Sequence, residues 1–416
     1  MLNIRMKRRQ AIIFILLIVA LFTVNKMFME QKDALVSEMP EMVDHDHVSS
    51  QKLFDSSWKI IRDNYFDSEL NNQAWGRWKE HYHGKIKTDE DAKVAIDTML
   101  ASLNDPYSRY MSKSEYLEQN NSINSKITGI GVNITSISGK IHIVNVMEGT
   151  PAQFANLLPD DIIIAIDGKN VNGLSLSEVA NLVRGPENSF VNITILRNKD
   201  KLVKRVMRKE IKLKTVKSAI VDKNIGYIQI TSFIGSTTPN EFLEALEKTK
   251  DTKGLILDLR GNTGGLLPNA VFIANLFLPE GSNIVSIVGR NGYKYNIDAQ
   301  DTEFGVKKPT IVLVDGNSAS ASEILSGALK DYNKAKLLGT KTYGKGMVQK
   351  IIPMPNETGL NLTVAKYLTP KGTDINKKGI TPDIKVEFSL QDVKNHNDAQ
   401  LQAAKNILSK MMLSKK

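Results

Sequence analysis

Two short stretches carry residue types that break amide bonds. Ser-Ala-Ser-Ala-Ser-Glu occupies 318–323 and Tyr-Gly-Lys-Gly-Met-Val-Gln occupies 343–349, which sets Lys345 25 residues beyond Ser320. A serine hydroxyl attacks a carbonyl carbon when a neighbouring base takes its proton, and a neutral lysine amine can be that base. Histidine is the usual base. The six here are His45, His47, His81, His83, His142 and His396, so none lies between 143 and 395. A Ser-His-Asp arrangement would import its base from a distant segment, so the local composition favours Ser-Lys chemistry.

Each residue also has a plain structural reading. Ser320-Ala321-Ser322-Glu323 matches the capping box Ser-x-x-Glu, so Ser320 could simply cap a helix. Lys345 lies between Gly344 and Gly346, which suits an exposed turn as well as a close backbone approach. To act as a base it must be neutral, which lowers its pKa by roughly 3 pH units, about 4 kcal/mol, and requires burial away from carboxylates. If 345–349 is extended, Lys345, Met347 and Gln349 share one face, and Gln349 can orient the amine. Upstream, Asp258-Leu259-Arg260-Gly261-Asn262-Thr263-Gly264-Gly265 reads as a strand entering a glycine turn, whose N–H groups can converge on an oxyanion. Phosphate cradling is the rival reading, but no Gly-Lys-Ser/Thr continuation follows.

These pieces need a scaffold. Thr310–Val314 reads as a strand, Asp315-Gly316-Asn317 as a turn and Ser320–Tyr332 as a helix. That junction is where α/β sheets place ligands and where helix N–H groups stabilise negative charge. Strands are expected at Ile225–Ile230, Leu255–Leu259, Ile284–Val288 and Leu360–Tyr367, and helices at Pro239–Lys250 and Pro268–Leu276. The alternation predicts an α/β core. An amphipathic helix is expected over Leu390–Lys410, for packing or for a homodimer contact.

Ahead of this core, apolar residues at helical spacing predict helices over 52–118, with Trp75 and Trp78 as core aromatics. Residues 127–210 change to short strands with turns and resemble a PDZ domain. The resemblance implies that Gly129, Ile130, Gly131 and Val132 bind a peptide's terminal carboxylate while the peptide adds a strand. Ala155-Asn156-Leu157-Leu158-Pro159-Asp160 departs from the usual Ala-Gly-Leu-x-Pro-Gly, losing two turn glycines. The plain alternative is a small β-domain without peptide binding.

The net charge is +10, and residues 197–217 hold ten basic residues against two acidic ones. Their alternation with apolar residues predicts strands with a solvated basic face; no nucleic-acid motif accompanies them. Arg5, Lys7, Arg8 and Arg9 precede an apolar run from Ala11 to Val24, followed by a polar spacer with an Asp-His-Asp-His run at 44–47. The first 30 residues are read as a signal-anchor that leaves the bulk of the chain outside the cytoplasm, at the cell membrane. A cleaved signal peptide is the rival reading. There are no cysteines, and neither metal nor cofactor is implied.

Five motifs in order, together with the PDZ-like segment, resemble the C-terminal processing (tail-specific) proteases: Asp105-Pro106-Tyr107-Ser108, Asp258–Gly265, Ser318–Ile324, Tyr343–Gln349 and Gly379-Ile380-Thr381-Pro382-Asp383 flank that segment on both sides. The resemblance implies a Ser-Lys endopeptidase with Ser320 as nucleophile, Lys345 as base and Gln349 positioning it. It implies an oxyanion hole from Gly264 or Gly265 with Ala321, and a gating role for Arg184. The implied fold is a crotonase-like α/β core carrying an inserted PDZ-like domain. The expected division is 1–30 anchor, 31–50 spacer, 51–118 helical region, 119–212 PDZ-like domain, 213–388 peptidase core and 389–416 C-terminal helix. Expected partners are proteins with apolar C-terminal tails. A catalytically silent tail-binding scaffold and an acyl-processing enzyme are the alternatives.

Overall fold

The computed structural model describes residues 48–123, 127–211, 214–388, 392 and 397–413. The expected anchor over 1–30, the Asp-His-Asp-His run and His396 lie outside the described residues. Among the described residues no helix is long and apolar enough to cross a membrane. The chain divides into two compact units, one of residues 1–119 and 214–416, the other of 120–213.

The larger unit is built on a six-stranded sheet in the order Val216–Asp222, Ile225–Ile230, Gly254–Asp258, Thr310–Val314, Ala335–Gly339, Ile384–Lys385. All neighbours after the first pair are parallel. Gly254–Asp258 and Thr310–Val314 are buried at every position, as strands covered on both faces must be. Leu255, Leu257, Val312 and Val314 face Phe242, Ala270 and Leu325 of helices Thr238–Lys248, Leu267–Asn275 and Ala321–Asp331. Ile256, Ile311 and Leu313 face Ala404 and Leu408 of helix Ala399–Leu413. The tail helix thus packs on its own sheet.

The expected strands around 284–288 and 360–367 form, but in a separate antiparallel sheet. Asn283–Gly289 and Thr358–Leu368 pair there with Arg109–Met111, Lys294–Asp298 and Met347–Met354. Strand propensity is local, whereas choice of partner is not. Helices Ser50–Asn64 and Asp89–Ser102 pack Phe54, Ile96 and Met99 against Leu360 and Leu362 of this sheet. Trp58 and Trp75 exchange indole N–H bonds with each other's carbonyls at 3.0 and 3.1 Å, and Trp75 is buried.

The smaller unit is an antiparallel sheet ordered Val132–Ile137, Lys140–Val146, Ile162–Ile166, Phe190–Arg197, Asp200–Met207, with helices Pro151–Phe154 and Leu176–Val183. On the basic strand Asp200–Met207, Val206 is buried while Lys201 and Arg205 are exposed.

Candidate active site

The nucleophile candidate sits where the buried strand Thr310–Val314 turns into helix Ala321–Asp331. Asp315 holds the turn by accepting the N–H groups of Asn317 and Ser318, each at 3.0 Å. The flanking serines are occupied: Ser318 Oγ donates to Leu259 C=O and Ser322 Oγ to Asn262 C=O, both at 2.8 Å. Ser320 between them has φ 54 and ψ −113. Ser320 is the N-cap of this helix and its N–H donates to Glu323 Oε2 at 2.9 Å, as the capping box predicts. A cap is ordinarily extended, however, and this backbone is strained, at a cost of the order of 1–3 kcal/mol. Strain of that kind holds a side chain at the top of a strand-to-helix turn.

The glycine turn lies directly against it. A Cβ on Gly264, whose φ is +102, would stand 2.9 Å from Ser320 Cβ and 2.7 Å from Ala319 C=O. A Cβ on Gly265 would stand 2.4 Å from the Phe233 carbonyl carbon. Backbone bonding separates the two glycines. Gly264 N–H donates to Asn262 Oδ1 at 2.8 Å and is therefore not available to an oxyanion, which corrects the expectation for that residue. The N–H groups of Gly265 and Ala321 have no hydrogen-bond partner among the described residues. Ala321 is the first residue of its helix, where the dipole adds to its donor strength.

Lys345 arrives on a loop folded against residues 375–379. A Cβ on Gly344 would meet Gly379 N at 2.7 Å and one on Gly346 would meet Asn376 N at 2.8 Å, which explains both flanking glycines. The paired strand that follows begins at Met347. Lys345 Nζ lies over the Tyr107 ring, 4.9 Å from its centroid, and has no hydrogen bond among the described residues. Burial lowers its pKa from the ordinary 10.5, with nearby Asp105 pulling the other way.

Gln349 makes no hydrogen bond to Lys345 among the described residues. Its Nε2 donates to Thr363 Oγ1 at 3.3 Å. Thr363 N–H donates to Ser108 Oγ at 3.0 Å, and Ser108 Oγ–H to Asp105 Oδ2 at 2.6 Å. Asp105 Oδ1 also accepts Tyr107 N–H at 3.0 Å. These bonds link Gln349 to the Asp-Pro-Tyr-Ser turn, whose Tyr107 lies under the lysine. In the sequence Tyr107 is a motif member without a role, and Glu323 is the second member of a capping box. Thr363 carried no signal.

In the smaller unit, Ile130 is buried and its carbonyl accepts Ala152 N–H at 2.8 Å. Gly131 has φ +86, and a Cβ there would collide with Thr150 Cβ at 2.3 Å. Gly129 ends one strand and Val132 starts Val132–Ile137, an outer strand of its sheet with helix Leu176–Val183 beside it. The two lost glycines leave the turn intact, because Asn156 and Asp160 themselves adopt φ 57 and 68. Arg184 is exposed at the end of that helix and its Nη1 donates to Asn181 Oδ1 at 3.4 Å. Arg208, not singled out from sequence, is buried and holds the Val183 and Phe190 carbonyls at 2.8 and 2.7 Å.

Residues 224–386 match peptidase family S41, 142–197 match the PDZ domain, and 18–115 match the N-terminal domain of the activating protease CtpB. The chain is 36% identical over 373 residues to the carboxyl-terminal-processing protease of Synechocystis sp., covering 86% of this chain and 87% of that one. It is 40% identical over 323 residues to the carboxy-terminal processing protease CtpA of Bacillus subtilis, covering 76% and 68%. Among solved structures, the photosystem II D1 C-terminal processing protease superposes with a TM-score of 0.56 at 30% identity, over 82% of this chain and 94% of that one. Fold and sequence together define a serine-type peptidase that carries a PDZ domain. The chain belongs to the carboxyl-terminal processing proteases of peptidase family S41.

Proposed function

We propose that this peptidase is a Ser-Lys endopeptidase that takes proteins by their apolar C-terminal tails and cuts near them. The observation that carries the reading is the strained Ser320 turn beside two unpartnered N–H groups, those of Ala321 and Gly265. Ser320 Oγ attacks the scissile carbonyl carbon while the neutral Lys345 amine takes its proton. The Ala321 and Gly265 N–H groups hold the resulting oxyanion. The C–N bond then breaks, Lys345 returns the proton to the leaving amine, and a water deprotonated by Lys345 releases the acyl group. For this the amine leaves the Tyr107 face and reaches Ser320. Gln349 acts on Lys345 through Thr363 and the Asp105–Ser108 turn.

The tail enters as an added strand along Val132–Ile137, its carboxylate held at Gly129–Val132, and Arg184 takes part in gating. The 213–388 core has the crotonase-like build. The first 30 residues anchor the chain in the membrane, with the catalytic part on the extracytoplasmic side. Relatives named for carboxyl-terminal processing support the substrate class. The test is cleavage of a tail-bearing protein by the full chain beside Ser320→Ala and Lys345→Ala. Both variants lose cleavage if the dyad is right; undiminished cutting by either one overturns it. Wild type that binds tails and never cuts identifies the scaffold reading instead.

A further inference from the structure

We propose that Glu323 is the positioning residue that holds the Ser320 turn and the Lys345 loop in register, an assignment that rests on the Ser-Lys reading above. Glu323 is fully buried. Its Oε2 accepts both Ser320 N–H and Lys345 N–H at 2.9 Å. Its Oε1 accepts Gly344 N–H at 2.8 Å and the Thr342 hydroxyl at 2.6 Å. A carboxylate serving only as a helix cap would engage Ser320 N–H and little else. Here three of the four donors belong to the loop bearing the base, 19 to 22 residues downstream. The contact is to backbone, not to the ammonium, so geometry is what it supplies. Tyr367 repeats the bridge on the carbonyl side. Its hydroxyl lies 3.1 Å from Ser320 C=O and 2.5 Å from Lys345 C=O and donates its one proton to either.

An ionised carboxylate has two acceptor oxygens, whereas a glutamine amide has one oxygen and a donating NH2. Glu323→Gln can therefore hold Thr342 and Gly344, or Ser320 and Lys345, but not both pairs. It keeps the side chain's volume and uncouples the two turns. A displacement of about 1 Å at reacting groups costs about 100-fold in rate.

The test uses the full chain. Glu323→Gln should lower kcat per active site, and the rate at which a fluorophosphonate probe labels Ser320, by about 100-fold. KM and the binding of a C-terminal peptide should stay unchanged. The acid limb of the pH profile should move up, because a loosened loop lets water reach Lys345. A lower Tm with unchanged kcat per labelled site and an unchanged acid limb overturns the proposal. Cleavage retained by Ser320→Ala or Lys345→Ala sinks the dyad and this assignment with it. Loss in both, beside wild-type kinetics in Glu323→Gln, sinks the role of Glu323 alone. Should Glu323→Gln not fold, Thr342→Val removes one donor and should cost several-fold in kcat with the same limb shift, while Thr342→Ser should not. Equal kinetics for Thr342→Val and wild type overturn the proposal.

Discussion

Lys345 sets the pH dependence of the proposed reaction. Burial holds its pKa below the ordinary 10.5, against the pull of Asp105, and only the neutral amine can take a proton. The value of kcat/KM should therefore rise with pH through that lowered pKa and level off above it. The same shift bears on stability. Between the folded pKa and 10.5 the unfolded chain binds more protons, so stability rises with pH across that window. Below the window a buried ammonium opposes folding, and Lys345→Met should raise Tm at neutral pH, as a thermal melt would show. Tyr107 stabilises the charged form from beneath. A cation–π contact contributes about 0.5–1 kcal/mol, so Tyr107→Leu should move the acid limb down by roughly half a pH unit. An acid limb that stays in place or moves up would show that the ring does not hold the ammonium.

At the scale of elements, the site is a junction of three turns that lie far apart in the chain. The glycine turn enters this junction because a bare Gly264 lets the backbone come within contact of Ser320. Gly264→Ala puts a methyl 2.9 Å from Ser320 Cβ and 2.7 Å from Ala319 C=O, at a φ of +102. It should cost about 1–3 kcal/mol of stability and most of the activity, read by melting and by labelling of Ser320. Gly261→Asn is the control. Its φ of +70 suits asparagine and nothing lies within 4 Å of a Cβ, so activity should hold. The double glycine was legible in the sequence; which N–H stays free was not. That depends on Asn262 folding its side chain back onto Gly264, a choice no spacing rule encodes. The PDZ turn shows the reverse. Its missing glycines looked disruptive, yet Asn156 takes the same left-handed φ, and Asn156→Gly should shift stability by less than about 0.5 kcal/mol in a denaturant titration.

For the whole molecule, the tail helix closes the core by covering the sheet face opposite helix Ala321–Asp331. Leu408 is fully buried against that sheet, and Leu408→Ala should destabilise by about 2–5 kcal/mol in a denaturation experiment. Activity per folded molecule should be kept, since the helix touches none of the reacting groups. Sequence alone determined the strand and helix types, the Ser320 and Lys345 candidates, the absence of a competing histidine and the PDZ segment. Those rest on local propensity, residue chemistry and short motifs; the core strands and helices fall close to the expected bounds, whereas the tail helix runs Ala399–Leu413 rather than Leu390–Lys410. Tertiary structure decided that Lys345 rests on Tyr107, that Gln349 bonds to Thr363, and that Glu323 ties nucleophile turn to base loop. It also decided that the tail helix packs on its own sheet. These are matters of which donor meets which acceptor across the fold, as where Thr363 meets Ser108 over 255 residues of chain. A hydrogen bond of that kind is chosen by three-dimensional proximity, and linear order carries no record of it.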